Sequence, residues 1–295
     1  MLLGLLAGIA TAIIQPFAYL FSRAFINRGG HALELLVYSH VIMGFFSGLL
    51  LLFYIPELKI TPVLAMRLCG SVVTFLIGQG AYLLTAKCME PSRLTTLLGL
   101  KIIFLVLLNL VFFHQILTGE HILAVILCTA SAFVMNRSGC RMGLKIFAPL
   151  MLCCLFLAAS DIMDMLLVME MPFSSVISSG IAATALCYFA LALVILPFLA
   201  FIPVDTKKFR AALPYSLAWL IAMITLFICF GAVGTVFANI IQSCRALVQV
   251  ILGTVVAWMG YAALEGRASG GQWIGRGVAA CMVMTAVSIY TITPG

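Results

Sequence analysis

The chain has 295 residues, of which 64% are hydrophobic and 8% charged, with a formal net charge of +7. Ordinary soluble domains carry roughly 25% charged residues, so a soluble fold of this length lacks the polar side chains to cover its surface. The mean hydropathy of +1.24 makes lipid the main solvent, and the positive charge, which belongs mostly to loops, points to orientation in a bilayer rather than to nucleic acid.

At roughly 20 apolar residues per span, the sequence predicts ten transmembrane helices, over 2–22, 33–54, 64–86, 91–117, 119–136, 143–169, 173–200, 212–231, 233–262 and 272–292. The first lacks a basic leader and is interrupted by Gln15 and Pro16, so it reads as a retained span rather than a secretory signal. It carries Thr11, Gln15, Tyr19 and Ser22 at spacings of three and four, which places them on one face. The third span repeats the pattern with Ser71, Thr74, Gly78, Tyr82 and Thr85. Lys101 lies in the middle of the fourth. Asp161 and Asp164, three apart on the sixth, share a face. On the ninth, Thr235, Asn239, Gln242, Arg245 and Gln249 form a polar stripe opposite Ile240, Ile241, Leu247, Val248, Ile251 and Val255. Such a stripe must face protein or water rather than hydrocarbon.

The ten cysteines include no CxxC and mostly fall in apolar runs, where cysteine is a packing residue. His31, His40, His114 and His121 show no metal-ligand spacing. Asp161-Ile162-Met163-Asp164 has no second acidic cluster to complete a magnesium site. No nucleophile motif, phosphate loop or dinucleotide fingerprint is present. The reading is therefore of a protein that is not an enzyme and needs no metal or cofactor. Gly4/Gly8, Gly44/Gly48 and Gly271/Gly275 form GxxxG pairs, read as close packing within the bundle.

Ten spans divide into five and five, residues 1–139 and 140–295. Lys101 is followed by Glu120 (120 − 101 = 19) and Arg245 by Glu265 (265 − 245 = 20), so the two cations hold matching places in the halves. Five is odd, so the second half enters the membrane from the opposite side: an inverted repeat around a central cavity. The segments MEPSRLTTLLGLKIIFLVLLNLVFFHQILTGEHILAVILCTASAFVM and AVGTVFANIIQSCRALVQVILGTVVAWMGYAALEGRASGGQWIGRGVAACMVM resemble the EamA-type repeat of the drug/metabolite transporter superfamily. That resemblance implies a basket-like bundle, a central cavity and alternating access. It does not cover the mid-helix cations, where this chain departs from the generic pattern.

By loop side, Arg23, Arg28, Lys87, Arg93, Arg137, Arg141, Lys145, Lys207, Lys208, Arg210, Arg267 and Arg276 fall together, against Lys59 and Arg67. The bias puts the first group in the cytoplasm and both termini outside it, in a cell (inner) membrane.

The expected function is secondary transport of a small polar, anionic metabolite. Lys101 and Arg245 attract its phosphate or carboxylate. Gln242, Asn239, Gln249, Gln15, Tyr19, Thr74 and Tyr82 complete the site, and Asp161 or Asp164 carries a coupling proton or pairs with the cations. One alternative is a transporter of a cationic or neutral metabolite that uses the two aspartates. Another is an intramembrane enzyme or lipid-handling scaffold whose charges form a structural ion-pair core.

Overall fold

The structure, a computed structural model, describes residues 1–86, 97–113, 119–136, 144–202 and 205–259, with positions 275, 278, 281–282, 285–286 and 289. The regular structure of the described residues is helical throughout, with no strand among them. In chain order the helices are α1 (Leu2–Asn27), α2 (Ala32–Leu51), α3 (Pro62–Ala86), α4 (Lys101–Phe113, preceded by a 3₁₀ turn over Leu98–Leu100), α5 (Gly119–Asn136), α6 (Leu144–Glu170), α7 (Val176–Ile195, continued by a 3₁₀ segment Leu196–Phe201), α8 (Thr206–Val233), α9 (Thr235–Gln242) and α10 (Arg245–Trp258). Six of them, α1, α2, α3, α6, α7 and α8, are long and apolar enough to cross a membrane.

The reason these segments pair is written on their small residues. On α1, Leu6, Ile9, Ile13 and Phe17 are exposed while Gly4, Gly8, Thr11 and Gln15 are buried. The exposed face suits lipid, and the buried one lets α8 and α9 approach. A methyl group added at Gly4 would lie 2.5 Å from Val233, and one at Gly8 would lie 2.9 Å from Ile241. Gly44 abuts Ala192 and Gly48 abuts Phe189, which brings α2 against α7; Gly78 sits on Leu157, which brings α3 against α6. The GxxxG pairs at 4/8 and 44/48 thus serve packing inside the bundle; Gly271 lies outside the described residues.

The most extensive helix pairs are α1 with α8, α3 with α6, and α2 with α7. Two ion pairs mark the ends of the bundle. Lys208, in the first turn of α8, holds Glu34 in the first turn of α2 at 2.8 Å. Arg67 of α3 meets Glu170, the last residue of α6, at 2.7 Å and also donates to Leu166 O. Since α2 begins where α1 ends, α1 runs toward the Lys208 end, as does α3, while α2, α6 and α8 run toward the Glu170 end.

The ninth span departs from the sequence reading. It is not one helix over 233–262 but two, with α9 ending at Gln242 and α10 starting at Arg245. At Ser243 and Cys244 the α-helical ladder tightens into three-residue turns, Cys244 N–H donating to Ile241 O at 3.0 Å. The fourth span also changes form beside its cation, from 3₁₀ at Leu98–Leu100 to α at Lys101. Each cation therefore opens a helical segment immediately after a discontinuity. Helix periodicity sees only side-chain spacing, and a turn of this kind shifts that spacing too little to register. The proposed repeat boundary at 139/140, Glu265 and most of the 272–292 span lie outside the described residues, although the positions described between 275 and 289 are helical.

Candidate functional site

A central cavity of about 310 Å³ is lined by α1, α2, α3, α6, α7 and α8, by Leu98 and Lys101, and by the α9–α10 break. Its lining reaches Ile26 and Ala32, both exposed at the Lys208 end. Toward the Glu170 end it stops at Leu226 and Phe227. Beyond them Leu167, Val168, Met171 and Phe230 are buried and belong with Phe227 to one hydrophobic cluster. Among the described residues the cavity thus opens toward one end of the bundle and is backed by buried apolar side chains at the other.

Among the described residues two basic and two carboxylic side chains line it, Lys101, Arg245, Asp161 and Asp164, each less than a tenth exposed. Lys101 Nζ lies 2.6 Å from Asp161 Oδ2, and Asn239 Nδ2 donates to the same oxygen at 2.7 Å. A carboxylate buried in an apolar bundle needs such compensation. Asp164 instead accepts a hydrogen bond from Ser71 Oγ, which also lies 3.1 Å from Cys187 Sγ. Arg245 donates to Gln15 Oε1 at 2.9 Å, and Gln242 Nε2 donates to that oxygen at 3.1 Å. Among the described residues no cation lies within 4 Å of the Asp164 carboxylate, and no carboxylate lies within 4 Å of the Arg245 guanidinium.

Of the residues singled out from sequence, Lys101, Arg245, Gln242, Gln15, Tyr19, Tyr82, Asp161 and Asp164 line the cavity. Asn239 stands behind it as a partner of Asp161. Thr74 turns back to its own helix, donating to Gly70 O at 2.7 Å. A serine or threonine in an apolar helix satisfies its hydroxyl this way when no other acceptor is near. Gln249 is buried and its Oε1 has no partner among the described residues, but it is not part of the described lining.

The cavity has an aromatic wall of which the sequence reading names only Tyr19 and Tyr82. Tyr215 stacks on Trp219 with centroids 5.9 Å apart, and Tyr19 meets the same indole edge-on. Trp219 Nε1 donates to Tyr188 OH at 2.9 Å, and Tyr188 in turn meets Phe75. The sequence did carry a signal for part of it: Tyr215, Trp219, Met223 and Phe227 recur every four residues on α8 and all four line the cavity. In an otherwise apolar helix that spacing is indistinguishable from core packing.

No protein-family model matches this chain, and no curated protein matches it. A solved structure described as "Crystal structure of protein" superposes on 98% of the chain, and over 96% of its own length, with a TM-score of 0.68 at 14% sequence identity. At that identity the likeness is one of fold alone.

Proposed function

We propose that the protein is a secondary transporter that moves a small polar, acid-bearing metabolite across a membrane by alternating access, with Arg245 as the anion-binding residue. The observation that carries this reading is Arg245 itself. It is buried in the wall of the central cavity, at the first residue of a helix that restarts mid-span, with a neutral amide as its described partner. A guanidinium at a helix N-terminus gains nothing from the helix dipole. Removing it from water costs several kcal/mol unless an anion arrives. Broken helices at the cavity of a bundle are a recurring way to build transporter sites.

The arrangement of the helices supports the inverted repeat. Exchanging α1, α2, α3 and α4 for α6, α7, α8 and the α9–α10 pair leaves the main partnerships unchanged: α1 on α8 becomes α6 on α3, and α2 on α7 maps onto itself. The running directions of α1 and α6, and of α3 and α8, are opposite, as an inverted repeat requires. This supports placing the chain beside the drug/metabolite transporter superfamily, with Lys101 and Arg245 at equivalent sites. On the proposed orientation the cavity faces the cytoplasm, since its open end bears Arg23, Arg28, Lys207, Lys208 and Arg210.

A second reading has its own observation. Asp164 has a hydroxyl rather than a cation as its described partner, which favours a cationic ligand or a coupling proton. Lys101 and Asp161 satisfy each other, so this pair supports a structural role at the centre of the bundle.

Counterflow in proteoliposomes tests the transport reading. Labelled carboxylate- and phosphate-bearing metabolites should show saturable exchange that is lost in Arg245→Ala protein of normal elution profile. Normal exchange by Arg245→Ala defeats the assignment of Arg245.

A further inference from the structure

Resting on that transport reading, we infer that the cavity binds a zwitterion: one small molecule carrying both an acid group, held by Arg245, and a protonated amine, held by Asp164. The two basic and two carboxylic groups described in the cavity sum to zero formal charge, but they do not pair off evenly. Lys101 and Asp161 are 2.6 Å apart and Asn239 completes the pair. Arg245 and Asp164 are left on different helices, α10 and α6, each with neutral described partners, Gln15 and Ser71. No described group of opposite charge lies within 4 Å of either.

Each of the simpler ligands leaves part of this unsatisfied. A plain anion compensates Arg245 and adds negative charge to a cavity that already holds Asp164. A plain cation does the reverse. A ligand with both charges compensates both residues, and each charge-assisted bond is among the stronger polar contacts available in a dry site. The loaded cavity then keeps the same net charge as the empty one, so the charge cost of carrying the molecule through the bundle does not rise with loading.

The walls fit this ligand. Asp164 lies toward the Glu170 end of the cavity, in the last two turns of α6; its partner Ser71 also touches Cys187, and Tyr188, the next residue on α7, shares the lining. Aromatic faces attract ammonium groups and also receive an apolar body. Arg245 sits at the level of Gln15 on α1, three residues from Gln242, and so nearer the open end. The amine therefore enters first and the acid group comes after it. About 310 Å³ lies at the low end of the roughly 300–1,000 Å³ of small-molecule sites, which suits a small metabolite.

Two matched trios provide the test: leucine, 4-methylpentanoate and 3-methylbutylamine; and O-phosphoethanolamine, inorganic phosphate and ethanolamine. Thermal stabilisation of the purified, detergent-solubilised chain is measured against each. At least one zwitterion should stabilise the wild type with an affinity about tenfold or more above both of its singly charged relatives, the worth of one charge-assisted bond. Asp164→Asn should erase the advantage of the zwitterion over the acid alone, and Arg245→Gln its advantage over the amine alone. A wild type stabilised by neither zwitterion, or equally well by a singly charged relative, overturns the inference. So does an Asp164→Asn protein that binds the zwitterion as the wild type does. The wild-type comparison stands without variants should either fail to fold. Counterflow separates this inference from the reading beneath it. Exchange of acids alone overturns the zwitterion and keeps transport; selective zwitterion binding without exchange supports the zwitterion and defeats transport.

Discussion

Lys101 and Asp161 form a buried ion pair in which each charge depends on the other. Their contact at 2.6 Å, with Asn239 on the same carboxylate oxygen, leaves each charge compensated inside the bundle. Replacing Lys101 with Met strands the Asp161 carboxylate and should destabilise the fold by about 3–5 kcal/mol. The double variant Lys101→Met/Asp161→Leu removes both charges and should recover most of that loss. Chemical or thermal unfolding in micelles measures both, and a double variant no better than the single one refutes the coupling. At this scale the sequence was partly legible. It placed Gln15, Tyr19, Tyr82, Lys101, Gln242 and Arg245 on polar faces, because each is too costly to turn toward lipid. Which cation would take which carboxylate was not legible, since that depends on distances between helices far apart in the chain.

At the scale of the element, close approach and breaks govern the bundle. Gly44 faces Ala192 with no room for a side chain, whereas Gly80 has nothing within 4 Å and is exposed. Gly44→Leu should therefore separate α2 from α7 and cost at least about 1–3 kcal/mol, while Gly80→Ala should be neutral or stabilising by up to about 1 kcal/mol. Equal melting temperatures for the two variants contradict this packing. Gly234 joins α8 to α9 with φ of 77° and ψ of 167°, a conformation that is essentially glycine's alone. Space is open around it, so Gly234→Ala should lose about 1–3 kcal/mol through backbone strain without any clash. A Gly234→Ala protein with wild-type unfolding behaviour speaks against that linker geometry. The corner at Gly234 falls at the boundary the sequence places between the eighth and ninth spans, where glycine is a breaker; the turn at Ser243–Cys244 is not visible in the same way, since no proline marks it and the hydrophobic pattern runs on through it.

The whole molecule is asymmetric in access. Its cavity reaches the Lys208 end, while Leu167, Val168, Met171, Phe227 and Phe230 lie buried toward the Glu170 end. Ser22 lies on the lining in the last two turns of α1. In a cysteine-reduced background, Ser22→Cys should react readily with a charged, membrane-impermeant thiol reagent. Val168→Cys in that buried cluster should be protected, with labelling slower by an order of magnitude or more. Mass spectrometry after timed labelling reads the ratio. Reaction of both at similar rates is incompatible with that asymmetry, and adding a transported ligand should narrow the gap if the bundle alternates.

The sequence by itself determined that this chain is a bundle of apolar helices, because 8% charged residues cannot solvate a soluble surface of 295 residues. It also determined which polar residues must turn inward, since hydrocarbon offers them no partner. Only the tertiary structure decided that Lys101 is matched with Asp161 while Arg245 and Asp164 keep neutral described partners, that the ninth span breaks beside its cation, and that Tyr19, Tyr188, Tyr215 and Trp219 gather around one space. Periodicity reports the face on which a residue lies. Compensation of charge depends on what the facing helix brings within about 4 Å, and that is set by how the helices cross.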